Sequence, residues 1–234
     1  MKNYKMYLLV LIALIIIVLL FFFFKNKNDK TEEIKINMTN TQDLNLKDNS
    51  AIKDSGEYVF NKELSQMEWQ GKKTFIKGWI DSGLISISSG NFTVEDGSIS
   101  SGEIEIDMTS ISAMKTGSNN GESMLTNHLK TADFFDVENF PISKFVIKDI
   151  NKVDDFNYLL TGDLTIKDVT KSVESKIIAY EKDGKIYIDG GITIDRSLFG
   201  IKFGSSSFFE NLGDKTIDNE FQIKLNLVGE ESEI

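Results

Sequence analysis

Hydrophobic and polar residues alternate along most of the chain after residue 57, and the clearest example is Glu-Ile-Glu-Ile-Asp-Met at 103–108. Strict alternation gives a strand one wet face and one buried face, which indicates antiparallel strands rather than a parallel sheet covered on both faces. Asp96-Gly97 and Asp183-Gly184 tolerate a positive φ, so each pair is predicted to form the turn of a β-hairpin. Gly190-Gly191 is predicted to mark a bulge or a barrel corner.

The alternation stops between residue 118 and Pro141. Four side chains in this interval follow the spacing of a helix: Met124, Leu125, His128 and Leu129. Asn119 or Asn120 is placed to cap that helix. The interval is therefore expected to contain one or two short helices.

The second half of this interval, residues 127–141, contains the only His and the only Pro of the chain. Phe134 and Phe135 stand side by side within it, between two Asp residues. We interpret this segment as a lid that lies across one end of the fold, and we expect any gated ligand beneath the two Phe side chains.

The full pattern contains roughly nine or ten short strands, which is the number found in a closed barrel or a sandwich. A barrel leaves no unpaired edge strand and is able to enclose an apolar cavity. No period of 20–50 residues repeats, which argues against a solenoid or a propeller. The predicted fold class is mainly β, an extended antiparallel barrel with one or two short helices.

Residues 7–24 form an uninterrupted apolar run without any charge. At about 1.5 Å per residue a helix of this length nearly spans a hydrocarbon core of about 30 Å. We predict an N-terminal transmembrane helix, with a cleaved signal peptide as the weaker alternative. The expected organisation is a membrane anchor (1–25), a flexible tether (26–56), the barrel domain (57–229) and a tail (230–234). Lysines on both sides of the run leave its orientation open.

The net charge of −10 argues against a nucleic-acid partner, because binding to phosphates depends on Lys and Arg. The chain has no Cys and a single His, so disulfides are excluded and a metal site is not expected. The pattern leaves the formation of a homodimer open.

Five strings between Ser65 and Leu227 resemble the YceI-like family of polyisoprenoid-binding proteins. In chain order they are Ile106–Ile111, His128–Asp136, Gly162–Ile166, Ile194–Ile201 and Phe208–Asp214. The resemblance implies a lipocalin-like barrel that holds a long-chain isoprenoid or a similar amphiphilic lipid. It also implies a location in the periplasm or cell envelope, and a binding protein rather than an enzyme. No cofactor is expected other than a bound isoprenoid-type lipid.

Arg196 is the only Arg among 26 basic residues, which indicates that this position requires a planar guanidinium. One interpretation is an anchor for a phosphate or another polar lipid head. The other, which we favour, is an ion pair with Asp195, Asp107 or another carboxylate that fixes the end of a strand.

Several Phe residues lie outside the regular strands, where they are able to close or line the mouth of an apolar tunnel. Together with Arg196 and one strand residue, they form the predicted set of lipid-binding residues: Phe134, Phe135, Phe145, Phe199, Phe203, Phe208 and Phe209. Structural roles are predicted for His128, Asp195 and Pro141.

Two other functions compete with lipid binding. A small envelope hydrolase or isomerase would use His128 together with Asp133 and Asp136. A purely structural envelope module would have a filled core and no cavity. We favour the structural interpretation of His128, because the sequence offers too few partners for catalysis or for a hydrolytic zinc site.

Overall fold

The computed structural model describes residues 49–117 and 121–232. The predicted anchor (1–25) and most of the predicted tether (26–56) therefore lie outside the described residues, as do Asn119 and Asn120. In the part of the chain that is described, no helix combines the length and hydropathy needed to cross a membrane.

Within the described residues, all strands belong to one antiparallel sheet of nine strands. They are β1 (Gly56–Phe60), β2 (Gln66–Lys72), β3 (Ile80–Glu95), β4 (Ser98–Lys115), β5 (Ile142–Lys152), β6 (Asn157–Ile166), β7 (Val169–Lys182), β8 (Lys185–Asp195) and β9 (Glu220–Glu231). The helix α1 (Glu122–Lys130) lies between β4 and β5. Two 3-10 helices, Arg196–Phe199 and Gly213–Lys215, lie in the connection between β8 and β9.

The sheet closes on itself as an up-and-down barrel. From β2 to β9 each strand pairs with the next one along the chain, and β9 pairs back with β2. The short β1 also lies between β3 and β9, at a different height from β2, so the nine strands occupy eight positions around the barrel. The predicted closed antiparallel barrel is confirmed.

Both predicted hairpin turns are confirmed, because Asp96-Gly97 joins β3 to β4 and Asp183-Gly184 joins β7 to β8, with positive φ at all four residues. The bulge expected at Gly190-Gly191 is absent, since both residues pair with β7 and β9 without a register shift. The alternative of a barrel corner stays a prediction. A side chain at Gly190 would instead collide with Ile177 of β7. The register shifts lie mainly between β3 and β4, which are much longer than expected.

The two ends of the barrel differ. At one end, which we call the turn end, lie the β3–β4, β5–β6 and β7–β8 hairpins. Large side chains fill the barrel there: Tyr58, Phe92, Ile99, Tyr158 and Ile186, all buried. The ring of Phe92 contacts those of Tyr58 and Phe60, at centroid distances of 5.2 and 5.1 Å. The turn end is therefore closed by its own core.

The other end, which we call the helix end, carries α1, both 3-10 helices and the longer connections. The helix predicted from the spacing of Leu125 and Leu129 is confirmed, with Leu129 buried. Gly121 precedes its first turn, and among the described residues no side chain caps it. Pro141 lies directly before β5, and its carbonyl oxygen accepts a hydrogen bond from the N–H of Met108 at 2.9 Å. Pro141 thus stands where the chain rejoins the barrel.

The backbones of β3 and β4 approach one another closely at Gly83. A Cβ at this position would lie 1.8 Å from the carbonyl oxygen of Ser112, so the two backbones would have to separate. We expect Gly83→Ala to lower the free energy of unfolding by more than about 2 kcal/mol. Urea unfolding followed by the fluorescence of the two Trp residues measures this change.

Gly71 of β2 provides the matched control, because a Cβ there would meet no atom within 4 Å. Gly71→Ala is expected to leave the free energy of unfolding within about 1 kcal/mol of the unsubstituted protein. Equal effects at the two glycines would contradict the close approach of β3 and β4.

Candidate ligand-binding cavity

The interior of the barrel is incompletely filled towards the helix end. Several apolar side chains of β5, β8 and β9 pack against the core yet are only half-buried: Phe145, Ile147, Ile192, Phe221, Ile223 and Leu225. In a close-packed core such residues would be fully buried. Their residual exposure indicates internal space between β5 and the strands opposite to it, β8 and β9.

One cavity lies inside the barrel and is lined by residues of all nine strands, and we call it the barrel cavity. Its volume is about 120 Å³. Its walls are apolar, with Phe60, Phe92 and Phe145 as the aromatic contributors. A cavity of this kind binds hydrocarbon by burying apolar surface.

A second cavity of about 130 Å³ lies at the helix end, and we call it the end cavity. Leu125 and Leu129 of α1 cover it together with Phe134 and Phe135 of the following segment. Five residues line both cavities: Met67, Ile106, Leu164, Ile194 and Ile223. The two cavities therefore adjoin one another along the barrel.

Arg196 lies at the wall of the end cavity and is 4% exposed. Its guanidinium donates to four backbone carbonyls, those of Ile201 (3.1 Å), Phe203 (2.8 Å), Ile217 (3.1 Å) and Asp218 (3.0 Å). The favoured interpretation as an ion pair is therefore wrong, since no carboxylate of the described chain forms a salt bridge with it. The partners of Arg196 are backbone carbonyl oxygens instead of a carboxylate, and a sequence pattern does not identify such partners.

The charge of Arg196 is held in a partly desolvated position. Burial lowers the pKa of Arg196 from its usual value, and the carboxylates of Asp195 and Asp218 oppose this shift. An Arg side chain stays protonated throughout the physiological range. The four hydrogen bonds occupy four of its five N–H groups, so one N–H has no partner among the described residues.

Besides Arg196, five polar or charged residues line the end cavity: Lys72, Asp81, Ser143, Asp218 and Glu220. Of these five, Ser143 of β5 is the buried one. Its side chain is buried, and its hydroxyl has no hydrogen-bond partner within the described part of the chain. Leaving such a group unpaired costs about 1–3 kcal/mol. Ser143 is absent from the residues predicted from the sequence, although it has the same parity in β5 as Phe145 and Ile147, a signal that it faces inward. The end cavity thus offers a donor from Arg196 and a hydroxyl from Ser143.

The predicted lipid-binding Phe residues occupy different surroundings. Phe134 and Phe135 line the end cavity, and Phe145 lines the barrel cavity. Phe199 is buried in the core and lines neither cavity. The remaining three, Phe203, Phe208 and Phe209, are exposed at the helix end. Their role in lipid binding stays a prediction.

The lid segment packs against the β8–β9 connection through His128. The imidazole edges contact the rings of Phe134 and Phe203, with centroid distances of 5.0 and 4.7 Å. Its Nε2 lies 3.1 Å from a carboxylate oxygen of Asp133, and both side chains are solvent-accessible. Lys167, another residue that the sequence did not suggest, donates to the carbonyl of Phe134 at 2.9 Å.

The other predicted residues near this site have local contacts. Asp195 accepts a hydrogen bond from the N–H of Ser197 at 2.8 Å, which caps the first 3-10 helix. Asp136 has a φ of 50° and accepts from Asn139 at the lid surface. Across the described ranges, no group of three or more His, Cys, Asp or Glu is arranged to hold a metal ion.

A closed up-and-down antiparallel barrel with an apolar cavity is the architecture that lipocalin-like proteins use to enclose a small ligand. The chain belongs to the YceI-like domain family, whose model matches residues 58–229. The resemblance seen in the five strings is confirmed.

The relatives include UPF0312 proteins. One from Pseudomonas putida is 33% identical over 96 residues, which is 41% of this chain and 47% of that protein. One from Photorhabdus laumondii is 31% identical over 106 residues, which is 44% of this chain and 53% of that protein. The matched region thus spans about half the length of these relatives.

Two solved structures share the fold. Burkholderia cenocepacia BcnA has a TM-score of 0.57 at 22% identity, and the match covers 72% of this chain and 99% of that one. A polyisoprenoid binding domain from Saccharophagus degradans, implicated in plant cell wall breakdown, has a TM-score of 0.55 at 10% identity. That match covers 75% of this chain and 98% of the other. At these identities the likeness shows the fold alone.

Replacing Arg196 tests its structural contribution. Arg196→Met removes all four hydrogen bonds and leaves the carbonyls of the β8–β9 connection without donors, so we expect a loss of about 3–5 kcal/mol in the free energy of unfolding. Lys202→Met, an exposed change in the same connection, is the control and should cost less than about 1 kcal/mol. Urea unfolding compares the two, and equal losses would contradict the assigned role.

Proposed function

We propose that this protein binds a long-chain isoprenoid or a similar single-chain amphiphilic lipid in the two adjoining cavities. The observation that carries the proposal is the arrangement of polarity, because the barrel cavity is apolar while Arg196 and Ser143 both lie at the end cavity. The volume of each cavity is sufficient for on the order of ten water-sized groups. An elongated ligand with one polar end matches this shape and this polarity.

The proposed orientation of the lipid follows from the difference in polarity between the walls of the barrel cavity and those of the end cavity. Hydrocarbon in the barrel cavity contributes about 0.8 kcal/mol for each buried CH2. The polar end of the lipid lies in the end cavity, where an oxygen accepts the remaining N–H of Arg196 and also contacts the hydroxyl of Ser143. A phosphate, a carboxylate or a carbonyl supplies such an oxygen. Arg196 attracts an anionic group, whereas the carboxylates of Asp81, Asp218 and Glu220 at the same cavity repel it.

Family membership supports this proposal, as does the Saccharophagus degradans domain, whose ligand class is polyisoprenoid. Residues 7–24 support a further part of it, namely that the barrel is anchored to a membrane. The extracytoplasmic side is proposed from the resemblance to the YceI-like family. We also propose that the protein binds its ligand without transforming it. The aromatic contacts of His128 support that view, since they give this side chain a packing role.

The ligand itself is the first test. Organic extraction of the purified full-length protein, followed by mass spectrometry, is expected to release a single-chain lipid with one polar end. Protein stripped of lipid should regain thermal stability when isoprenoid alcohols, isoprenoid phosphates or fatty acids are added, because a ligand that binds only the folded state raises Tm. A protein that yields no lipid and responds to none of these compounds would refute the proposal.

Filling the junction between the cavities is the second test. Ile223 lines both cavities and is half-buried, so Ile223→Trp should block them and abolish lipid binding while leaving the barrel folded. Gln222→Trp places the same side chain on the exposed face of β9 and serves as the control. Displacement of a fluorescent fatty probe measures binding, and full affinity in Ile223→Trp would show that the ligand lies elsewhere.

A further inference from the structure

Large apolar side chains on the surface of the barrel collect at one end. Of the eleven that are exposed among the described residues, eight lie at the helix end. Six of these belong to its connecting segments and form what we call the apolar rim: Phe75, Met124, Leu198, Phe203, Phe208 and Phe209. Exposed apolar groups that gather in one region, rather than scattering singly, mark a surface for interaction.

Two side chains of the apolar rim, those of Phe208 and Phe209, belong to one turn of the β8–β9 connection. The N–H groups of Phe208 and Phe209 both donate to the carbonyl of Ser205, at 3.2 and 3.1 Å, in a tight turn. The two side chains are nevertheless 45% and 48% exposed. The backbone therefore fixes a turn whose apolar side chains remain in water, which costs free energy unless another apolar phase covers them.

The apolar rim is continuous with the cover of the end cavity. Phe203 belongs to the rim, and its ring lies 5.3 Å from that of Phe134, which lines the cavity. A partner that covers the rim would thus lie against the lid itself.

The distribution of charge indicates the kind of partner. The connecting segments of the helix end (73–79, 116–141, 167–168 and 196–219) contain seven basic and eight acidic residues among those described. The rest of the described chain contains 12 basic and 22 acidic residues. Phospholipid surfaces are neutral or negative, so the acidic body is repelled by anionic lipids while the helix end is nearly neutral.

Two cation–ring pairs at this end also suit a membrane interface. The ammonium of Lys202 lies 5.1 Å from the ring centre of Phe208, and that of Lys73 lies 4.3 Å from the ring centre of Trp79. Lys side chains extend towards phosphates while aromatic rings settle at the level of the headgroups.

We propose that the helix end docks on a phospholipid bilayer, with the apolar rim inserted at the boundary between headgroups and acyl chains and the lid facing the membrane. This inference rests on the proposed lipid binding, for which it supplies the route of loading. Insertion by about 5–10 Å is typical of amphipathic surfaces. A second copy of the chain is the competing partner.

The chain has no Cys, so a single introduced Cys carries a fluorophore at one known position. Phe209→Cys labels the rim, and Val153→Cys labels a site at the turn end that is at least as exposed. Both full-length proteins are labelled with an environment-sensitive dye and reconstituted into phosphatidylcholine vesicles that contain spin-labelled lipid. We expect a blue shift and strong quenching at residue 209, and neither at residue 153.

Equal quenching at the two positions, or quenching at neither, would overturn the docking proposal. A blue shift at residue 209 that depends on protein concentration and not on vesicles would also overturn it, in favour of contact between copies. This measurement tests docking independently of whether lipid occupies the cavities.

A second experiment separates docking from binding. Phe208→Ser with Phe209→Ser removes two rim side chains that line neither cavity, and Leu64→Ser with Val153→Ser is the matched control away from the rim. Transfer of a fluorescent isoprenoid from donor vesicles should slow by roughly tenfold or more in the rim variant alone, with unchanged equilibrium affinity. An unchanged transfer rate in the rim variant refutes docking and leaves the proposed function intact. If the unsubstituted protein, the rim variant and the control all fail to bind the isoprenoid, the proposed function is refuted.

Discussion

The helix end depends on the hydrogen bonds of one buried guanidinium. Arg196 donates to Ile201 and Phe203 on the outgoing arm of the β8–β9 connection, and to Ile217 and Asp218 on the returning arm. Four charge-assisted bonds thus tie the two arms together at the wall of the end cavity. A Lys at this position has three donors and no planar fork, so it would be unable to make the same set. The turn that holds Phe208 and Phe209 lies between these arms.

The barrel has one closed end and one adaptable end because its side chains are distributed unevenly. Tyr58, Phe92 and Tyr158 fill the turn end, where short hairpins bring the strands together. At the helix end the connections are long, and they cover a space that they do not fill. A ligand that reaches the barrel cavity along its axis must therefore pass the end cavity, whose walls carry the polar groups.

Much of the fold was predictable because alternation, hairpin turns and helical spacing are local signals. The β3–β4 and β7–β8 hairpins and α1 needed no knowledge of distant contacts. The candidate site was predicted less completely. The need for an Arg at position 196 was visible in composition, but its carbonyl partners were not, because every residue carries a carbonyl. Ser143 was overlooked because an unpaired hydroxyl becomes informative only when its burial is known.

The two covers of the end cavity are attached to the barrel with different strength. The β8–β9 connection is held by buried, charge-assisted bonds of Arg196. The backbone hydrogen bonds of residues 131–140 run instead within the lid or to α1, and the His128–Asp133 pair is accessible to water. Lys167 of the β6–β7 turn holds the lid from the barrel, since its ammonium donates to the carbonyls of Ala132 and Phe134. Opening of the lid would break these two bonds and expose the buried ring of Phe134, while opening of the connection would leave four carbonyls without the donors of Arg196. The side-chain hydrogen bonds that hold the lid are therefore fewer and closer to water than those that hold the connection.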